Sequence, residues 1–227
     1  LARDGSNTVL IDTGYGSKLG EKEREIHAAE AGAPLLANLA SHGVSPDDVD
    51  WVVLSHLHFD HAGGGTTGGG DGALVPTFPR ATYVVQRREW EDATGGAAEL
   101  RGSYPLENLL PLEEAGQLRL LDGDEQIVPG LTARVTGGHT AGHHILLLQS
   151  SGQTAAYLGD LCPTTAHLPS LWCMAYDVFP LDTRRRKPLV LGEAADDAWL
   201  VCWDHDPQTP WSRLLRDPKR EFKAIDA

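Results

Sequence analysis

Three histidines and an aspartate directly follow a short apolar run in this 227-residue chain. The run is Trp51-Val52-Val53-Leu54-Ser55, and the cluster is His56-Leu57-His58-Phe59-Asp60-His61. The run predicts a buried strand, and imidazole with carboxylate is a donor set for zinc and similar metals. Because alternate side chains of extended backbone face opposite ways, His56 and His58 can share one metal, while Asp60 and His61 can reach a second. An adventitious histidine-rich surface loop is the alternative reading, and it is disfavoured by further ligands downstream.

Three further ligand-type residues each lie just past a predicted strand: His139 after residues 131–135, Asp160 after 154–158 and His205 after 199–203. A single such residue is often a core histidine or a capping aspartate. Ligands that converge from separate strand ends are what a preformed metal site requires. The sequence therefore predicts a metalloenzyme.

Composition limits the partners of the chain. Its 41% hydrophobic and 22% charged residues are those of an ordinary globular protein, and the longest aliphatic run, Ile145-Leu146-Leu147-Leu148, is too short to cross a membrane. A net charge of −13 repels a phosphate backbone, which disfavours nucleic acid as a partner. The expected partner is therefore a small molecule. The residues do not fix the oligomeric state, and a homodimer is compatible with them.

Three cysteines, Cys162, Cys173 and Cys202, do not make a disulfide framework. Cys162 and Cys202 lie close in sequence to Asp160 and His205, and small buried packing residues are the favoured interpretation over metal-pocket residues. The thiols indicate a cytoplasmic location. The chain opens almost inside a strand, so we expect that N-terminal strands are incomplete and that a leader cannot be assessed.

The apolar and turn patterns predict alternating strands and helices. The predicted strands are residues 8–11, 51–55, 81–86, 118–121, 131–135, 145–149, 154–158 and 199–203, with a closing hairpin at 213–216 and 220–225. The predicted helices are residues 18–41 in two pieces, 87–93 and 182–195. The glycine-rich residues 63–72 are expected to form a mobile loop, and 94–116 an irregular lid. No repeat or linker is visible, which favours a single domain over residues 1–227.

The motif pattern resembles the metallo-β-lactamase superfamily. It consists of the cluster at 56–61, Gly138-His139-Thr140-Ala141-Gly142-His143, Gly159-Asp160, His205 and the early Asp12-Thr13-Gly14. The resemblance implies an α+β fold, an αβ/βα sandwich of two mixed sheets with helices on the outer faces. It also implies the ligands of two divalent metal ions, zinc or else manganese, cobalt or iron. The first ion would be held by His56, His58 and His139 and the second by Asp60, His61 and His205, with Asp160 bridging.

Such a binuclear site implies hydrolysis by a metal-bridging hydroxide. Asp60 is expected to orient this hydroxide and carry its proton. Asp12 and His143 are expected to steady ligand histidines through their second ring nitrogen, although His143 as plain core packing is an equal alternative.

Within the superfamily, residues 159–167 and 172–177 resemble the quorum-quenching N-acyl-homoserine lactonases. One lactonase type has a tyrosine three residues after the bridging aspartate, where this chain has Pro163. His167 or Tyr176 would then hydrogen-bond the lactone, although for Tyr176 core packing is the favoured interpretation. An apolar wall for the acyl chain is expected from Leu168, Leu171, Trp172, Met174 and Phe179, with core packing again as the alternative.

Other activities are compatible with the same site. A phosphotriesterase is the nearest alternative to a lactonase. A glyoxalase II type thioesterase is disfavoured because little chain follows His205, and a β-lactamase is disfavoured because the ligand set is fuller. A redox module holding iron is the least favoured reading.

Overall fold

The computed structural model describes residues 1–70, 72–100 and 102–227. The chain divides into two compact units, Leu1–Leu121 and Asp122–Ala227. The expectation of a single domain over residues 1–227 stays a prediction. Within the described ranges, no helix combines the length and the apolar character that crossing a bilayer demands.

The first unit is built on a five-stranded sheet and a separate two-stranded hairpin. Its strands are β1 (Ala2–Arg3), β2 (Thr8–Ile11), β3 (Trp51–Val53), β4 (Thr66–Gly68), β5 (Leu74–Pro76), β6 (Thr82–Gln86) and β7 (Leu118–Leu121). The sheet order is β1-β2-β3-β6-β7, in which β2, β3, β6 and β7 are parallel neighbours. Because parallel strands end at one edge, the segments that follow β2, β3 and β6 meet there.

Five helices complete this unit: α1 (Glu21–His27), α2 (Pro34–Ser41), α3 (Phe59–Ala62), α4 (Arg87–Thr94) and α5 (Leu106–Glu114). The core is formed by apolar strand residues such as Val52 and Val85, packed with Leu57, Trp90 and Leu109 from the loops and helices. Leu57 is fully buried, so the segment between two of the candidate ligands is anchored in this core.

The second unit is built on a seven-stranded sheet. Its strands are β8 (Glu125–Val128), β9 (Leu131–Val135), β10 (His144–Ser150), β11 (Gln153–Tyr157), β12 (Leu200–Cys202), β13 (Trp211–Asp217) and β14 (Glu221–Ile225), in the order β14-β13-β12-β11-β10-β9-β8. Only β11 and β12 pair in parallel, and helix α6 (Pro180–Asp196) lies in the connection between them. The core of this unit includes Ile145, Leu158, Leu191 and Trp203.

All eight predicted strands are present, with bounds that differ by no more than two residues. The glycine-rich segment differs from its prediction. Residues 63–65 form a buried 3-10 turn, and 66–68 form β4, so a mobile loop is wrong for this part of 63–72. Asp71 lies outside the described residues.

Close backbone packing explains why the glycines of this segment are ordered. Gly16 has φ +71°, and a Cβ there would lie 2.6 Å from the carbonyl oxygen of Gly63. The glycines therefore allow the turn after β2 to approach the turn after α3, rather than providing mobility.

The prediction of an irregular segment at 94–116 is also wrong in part. Helix α5 occupies Leu106–Glu114 and buries Leu109 and Leu112, even though Pro111 lies inside it. The proline obscured the helical periodicity in the sequence. Strand β8 was not predicted because its first half, Glu125 and Gln126, is polar and exposed.

Candidate metal centre

The histidine loop, residues 56–61, follows β3 at the edge where the parallel strands end. The ring centroids of His56 and His58 are 4.6 Å apart, and those of His56 and His61 are 4.1 Å apart. All three rings are buried. Helix α3 begins directly after His58, which places Asp60 and His61 in its first turn, with His61 Nε2 3.7 Å from Asp60 Oδ2. The first unit thus brings its four predicted ligands into one cluster.

Asp12 holds this cluster from the end of β2. Its carboxylate accepts the backbone N–H and the hydroxyl of Ser55, both at 2.7 Å, and lies 2.9 Å from His61 Nδ1. Because Ser55 gives its hydroxyl proton to Asp12, the contact between Ser55 Oγ and His56 Nδ1 at 3.1 Å requires His56 to be the donor. Both imidazoles then carry a proton on Nδ1 and an Nε2 lone pair for a metal. The expected contact between Asp12 and the second ring nitrogen of a predicted ligand histidine is present, and the role of His61 as a ligand stays a prediction.

The second unit places one carboxylate between two imidazoles. Asp160 Oδ2 lies 3.0 Å from His139 Nε2, and Asp160 Oδ1 lies 3.2 Å from His205 Nε2. His139 Nδ1 lies 3.0 Å from Asp177 Oδ1, so a neutral His139 donates there and points its Nε2 lone pair at Asp160. A lone pair and a carboxylate at this distance repel each other unless a proton or a cation lies nearby. This donor set therefore fits a bound metal ion.

His143 is fully buried, and its ring lies edge-on to the ring of His139 with centroids 6.1 Å apart. It also supports Asp160, and its expected role in steadying a ligand histidine stays a prediction. Its Nε2 accepts the backbone N–H of Asp160 at 3.1 Å, and its Nδ1 lies 2.7 Å from Thr136 Oγ1. Because both ring nitrogens of His143 have polar contacts, the alternative that His143 is a plain core-packing residue is wrong.

Asp177 was missed in the sequence, where it sits in a segment without periodicity. The same segment pairs with the strand-end turn through Val178 N–H to His139 O at 2.9 Å and Phe179 N–H to Gly138 O at 2.8 Å. Gly138 has φ +91°, and a Cβ there would lie 2.5 Å from Thr183 Oγ1. This glycine allows the turn that carries His139 to approach the start of α6.

Asp204 was also missed as a ligand candidate, although it directly precedes His205. Its Oδ1 accepts the His205 backbone N–H at 3.1 Å, and its Oδ2 lies 3.8 Å from His205 Nε2.

Asp206 connects this segment to Thr165 by accepting hydrogen bonds from the Thr165 backbone N–H and hydroxyl. Burial opposes the charged form of Asp206, but hydrogen bonds from Thr165, Gln208 and Thr209 outweigh it and lower its pKa to about 2.

The two predicted substrate contacts lie in different settings. His167 is half-buried with Nδ1 2.8 Å from Thr164 Oγ1, and burial lowers its pKa, so its ring is neutral at pH 7. The side chain of Tyr176 is 78% exposed, which rules out the core-packing alternative. Contact of either residue with substrate stays a prediction.

The three cysteines are free thiols. Cys162 is buried, and burial raises its pKa to about 12, which agrees with a packing role. Cys202 is half-buried, and its pKa is raised by burial to about 11.

The expected apolar wall is not a single buried surface. Leu168 is buried in the core of the second unit, whereas Leu171 is 70% and Trp172 59% exposed. Another partly apolar surface lies in the first unit, where Phe59 of the histidine loop lines it. There a cleft of about 980 Å³ is lined by Tyr15, His27, Phe59, Leu100, Tyr104 and Leu106, among others. The rings of Tyr15 and Phe59 pack with centroids 5.8 Å apart, and Phe59 directly precedes Asp60 in the sequence.

The metallo-β-lactamase superfamily model matches residues 1–205, which is most of the chain. The protein belongs to the metallo-β-lactamase superfamily. Among solved structures, a probable metal-dependent hydrolase from Staphylococcus aureus has a TM-score of 0.86 and 28% identity, covering 99% of this chain and 79% of its own. The dizinc quorum-quenching lactonase AidC, in complex with its product, has a TM-score of 0.80 and 20% identity, covering 99% of this chain and 77% of its own. The chain thus has the metallo-β-lactamase fold, as the sequence predicted.

Among curated superfamily members, an N-acyl homoserine lactonase from Bacillus cereus is 30% identical over 152 residues, or 63% of this chain and 54% of that protein. The chain therefore spans about half the length of this relative.

Proposed function

We propose that this protein is a binuclear metal-dependent hydrolase that opens the lactone ring of N-acyl-homoserine lactones. The observation that carries the proposal is the Asp160 carboxylate, whose two oxygens face the Nε2 atoms of His139 and His205. A carboxylate with one imidazole at each oxygen has the donor arrangement of a bridging metal ligand. The match to named lactonases supports the substrate class.

The proposed ligands divide between the two metals as the family resemblance implies. His56, His58 and His139 would hold the first ion, and Asp60, His61 and His205 the second, with Asp160 shared. The Nδ1 contacts of His56, His61 and His139 support this assignment because each directs a lone pair on Nε2. Asp204 is a further candidate for the second ion because its carboxylate lies beside His205.

Two divalent ions, when bound, supply hydroxide at neutral pH and polarise the lactone carbonyl. Asp60 would take up the proton from the attacking oxygen and deliver it to the ring oxygen that leaves. Its carboxylate lies 3.7 Å from Nε2 of the proposed ligand His61 at the start of α3, which supports this role. His167, whose pKa is lowered by burial, is the candidate to hydrogen-bond the lactone head, and Tyr176 is a second candidate for that contact.

The cleft of the first unit gives the substrate tail an apolar environment. Phe59 lies in the histidine loop itself, and the ring centroid of Tyr104 lies 5.0 Å from that of His58. Both residues therefore link the cleft to the proposed ligands. An acyl chain packed on these rings leaves its lactone end near Asp60. Burial and the negative charge of Asp60 both raise the pKa of Tyr15, which keeps its phenol neutral in this wall.

The decisive experiment compares initial rates of zinc- and cobalt-reconstituted protein on N-acyl-homoserine lactones and on an aryl phosphotriester, with metal content measured in parallel. We expect lactone opening to exceed phosphotriester turnover, with two metals per chain. His58→Ala should lose metal and activity together, whereas the exposed His42→Ala should keep both. Faster phosphotriester turnover would identify a phosphotriesterase instead of a lactonase. Full activity of His58→Ala with unchanged metal content would refute the metal assignment.

A further inference from the structure

Glu89 is a fully buried carboxylate on helix α4 that the proposed reaction does not use. Removing a carboxylate from water costs free energy unless hydrogen-bond donors replace the solvent. Such a group in the core of a unit therefore has a specific set of donors, and these donors indicate what it holds in place.

One oxygen of Glu89 accepts two hydrogen bonds. Glu89 Oε1 accepts the backbone N–H of Leu57 at 3.0 Å and the hydroxyl of Tyr104 at 2.9 Å. Leu57 lies between His56 and His58, so the carboxylate holds the peptide that connects two proposed ligands of the same ion. The side chain of Leu57 is buried in the core on the same segment.

A second contact holds the next peptide of the histidine loop. The backbone N–H of Phe59 donates to the carbonyl oxygen of Ser103 at 3.1 Å, and the ring centroid of the neighbouring Tyr104 lies 5.0 Å from that of His58. Ser103 and Tyr104 thus both support the histidine loop. Ser103 does so by its backbone carbonyl, and Tyr104 does so through its hydrogen bond to Glu89. Because Tyr104 also lines the cleft, this support lies between the cleft and the ligands.

We propose that Glu89 and Tyr104 are a positioning pair that fixes the Leu57 peptide and thereby aims the His56 and His58 imidazoles at one metal ion. The inference rests on the proposed metal centre and adds two residues to it. Neither side chain is among the proposed ligands. A hydrogen-bonded peptide between two ligands limits the rotation of both, and metal affinity depends on this alignment.

The test measures zinc affinity by chelator competition and the visible absorption of the cobalt-loaded protein. Glu89→Ala removes the acceptor, and we expect about 10–100-fold weaker zinc binding, as for other groups that orient ligands. Glu89→Gln keeps an oxygen that can accept both bonds, so it should restore most of the affinity. Glu91→Gln, an exposed residue on the same helix, is the matched control and should match the wild type.

Tyr104→Phe separates positioning from folding because it keeps the ring and removes only the hydroxyl. We expect weaker zinc binding and a changed cobalt spectrum, with far-ultraviolet circular dichroism like that of the wild type. If Glu89→Ala does not fold, Tyr104→Phe and Glu89→Gln decide the question. Wild-type zinc affinity and cobalt spectrum in folded Tyr104→Phe would overturn the inference. Equal losses in Glu89→Gln and Glu89→Ala would also overturn it, because charge rather than the acceptor would then matter.

The wild type distinguishes the two proposals. If it binds no metal stoichiometrically, the proposed function fails. If it binds two ions and the positioning variants bind them equally well, only the positioning role fails.

Discussion

The Nε2 atom of His143 accepts the backbone N–H of Asp160 at 3.1 Å. This bond fixes the peptide of the proposed bridging ligand, whose carboxylate faces His139 and His205. His143 is itself oriented by Thr136. The position of the proposed bridging carboxylate therefore depends on a histidine that is not among the proposed ligands.

We predict that His143→Leu destabilises the protein and weakens metal binding. The substitution leaves the Asp160 N–H without its acceptor, which costs about 1–3 kcal/mol for a buried group. Zinc affinity should fall by about 10–100-fold. Urea unfolding of the metal-free protein and chelator competition measure the two effects, with exposed His42→Leu as the control. Unchanged values in both assays would contradict the role of His143.

Asp177→Asn should weaken metal binding while leaving the fold intact. Asparagine can still accept the proton of His139 Nδ1, but it removes the negative charge 3.0 Å away that makes the imidazole a stronger donor. We expect about tenfold weaker zinc binding. Isothermal titration with zinc measures the change, and the exposed Asp226→Asn serves as the charge-matched control. Equal affinity for the two variants would show that the charge of Asp177 has no effect.

Gly138→Ala should destabilise the second unit and disturb His139. A residue with a Cβ is strained at φ +91°, and the added atom would lie 2.5 Å from Thr183 Oγ1 and close to the backbone of α6. We expect a loss of roughly 1–3 kcal/mol or more in the free energy of unfolding, as for other strained backbone positions. Gly152→Ala is an informative control because it also has positive φ, at +75°, but no neighbouring atom within 4 Å. A similar loss in both variants would mean that backbone strain alone, without the contact to α6, explains the effect.

The sequence predicted the strands well, and it marked the clusters of ligand-type residues at their ends, because both signals are local. An apolar run followed by ligand-type residues identifies a strand end, and His56, His139 and Asp160 all follow such runs. The order of the motifs was sufficient for the fold class, through their resemblance to the metallo-β-lactamase superfamily. The periodicity of a strand can be recognised within a short stretch of sequence, whereas contacts between distant segments cannot.

The residues that orient the ligands were harder to predict because their signal is not local. Asp177 lies 38 residues from His139, and Glu89 lies 32 residues from Leu57, so nothing in their own neighbourhood marks them. The glycines at 63–65 were misread for a related reason. Gly63 and Gly64 are needed because the backbone of Tyr15 and Thr13 packs closely against them. This close packing is visible only in the folded structure. The roles of these residues therefore depend on tertiary contacts, which residue type and local sequence do not reveal.

Lys18 gives a prediction for the pH dependence of stability. Its ammonium donates to the carbonyl oxygen of Gly63 at 2.5 Å and to the carbonyl and hydroxyl oxygens of Thr66, just after the histidine loop. Burial lowers its pKa to about 8 from an ordinary value of 10.5, although the charge of Glu107 opposes the shift. Between pH 8 and 10.5 the unfolded chain therefore holds a proton that the folded protein has lost.

It follows that raising the pH through this window stabilises the wild type relative to a Lys18→Met variant, which has no such group. Urea unfolding of both proteins at pH 7.5 and pH 9.5 measures the difference. We expect the wild type to gain free energy of unfolding relative to Lys18→Met at the higher pH. The exposed Lys22→Met should show a difference that does not change between the two pH values. A relative loss of wild-type stability at pH 9.5 would mean that the three hydrogen bonds outweigh burial and hold the charged form in the folded protein.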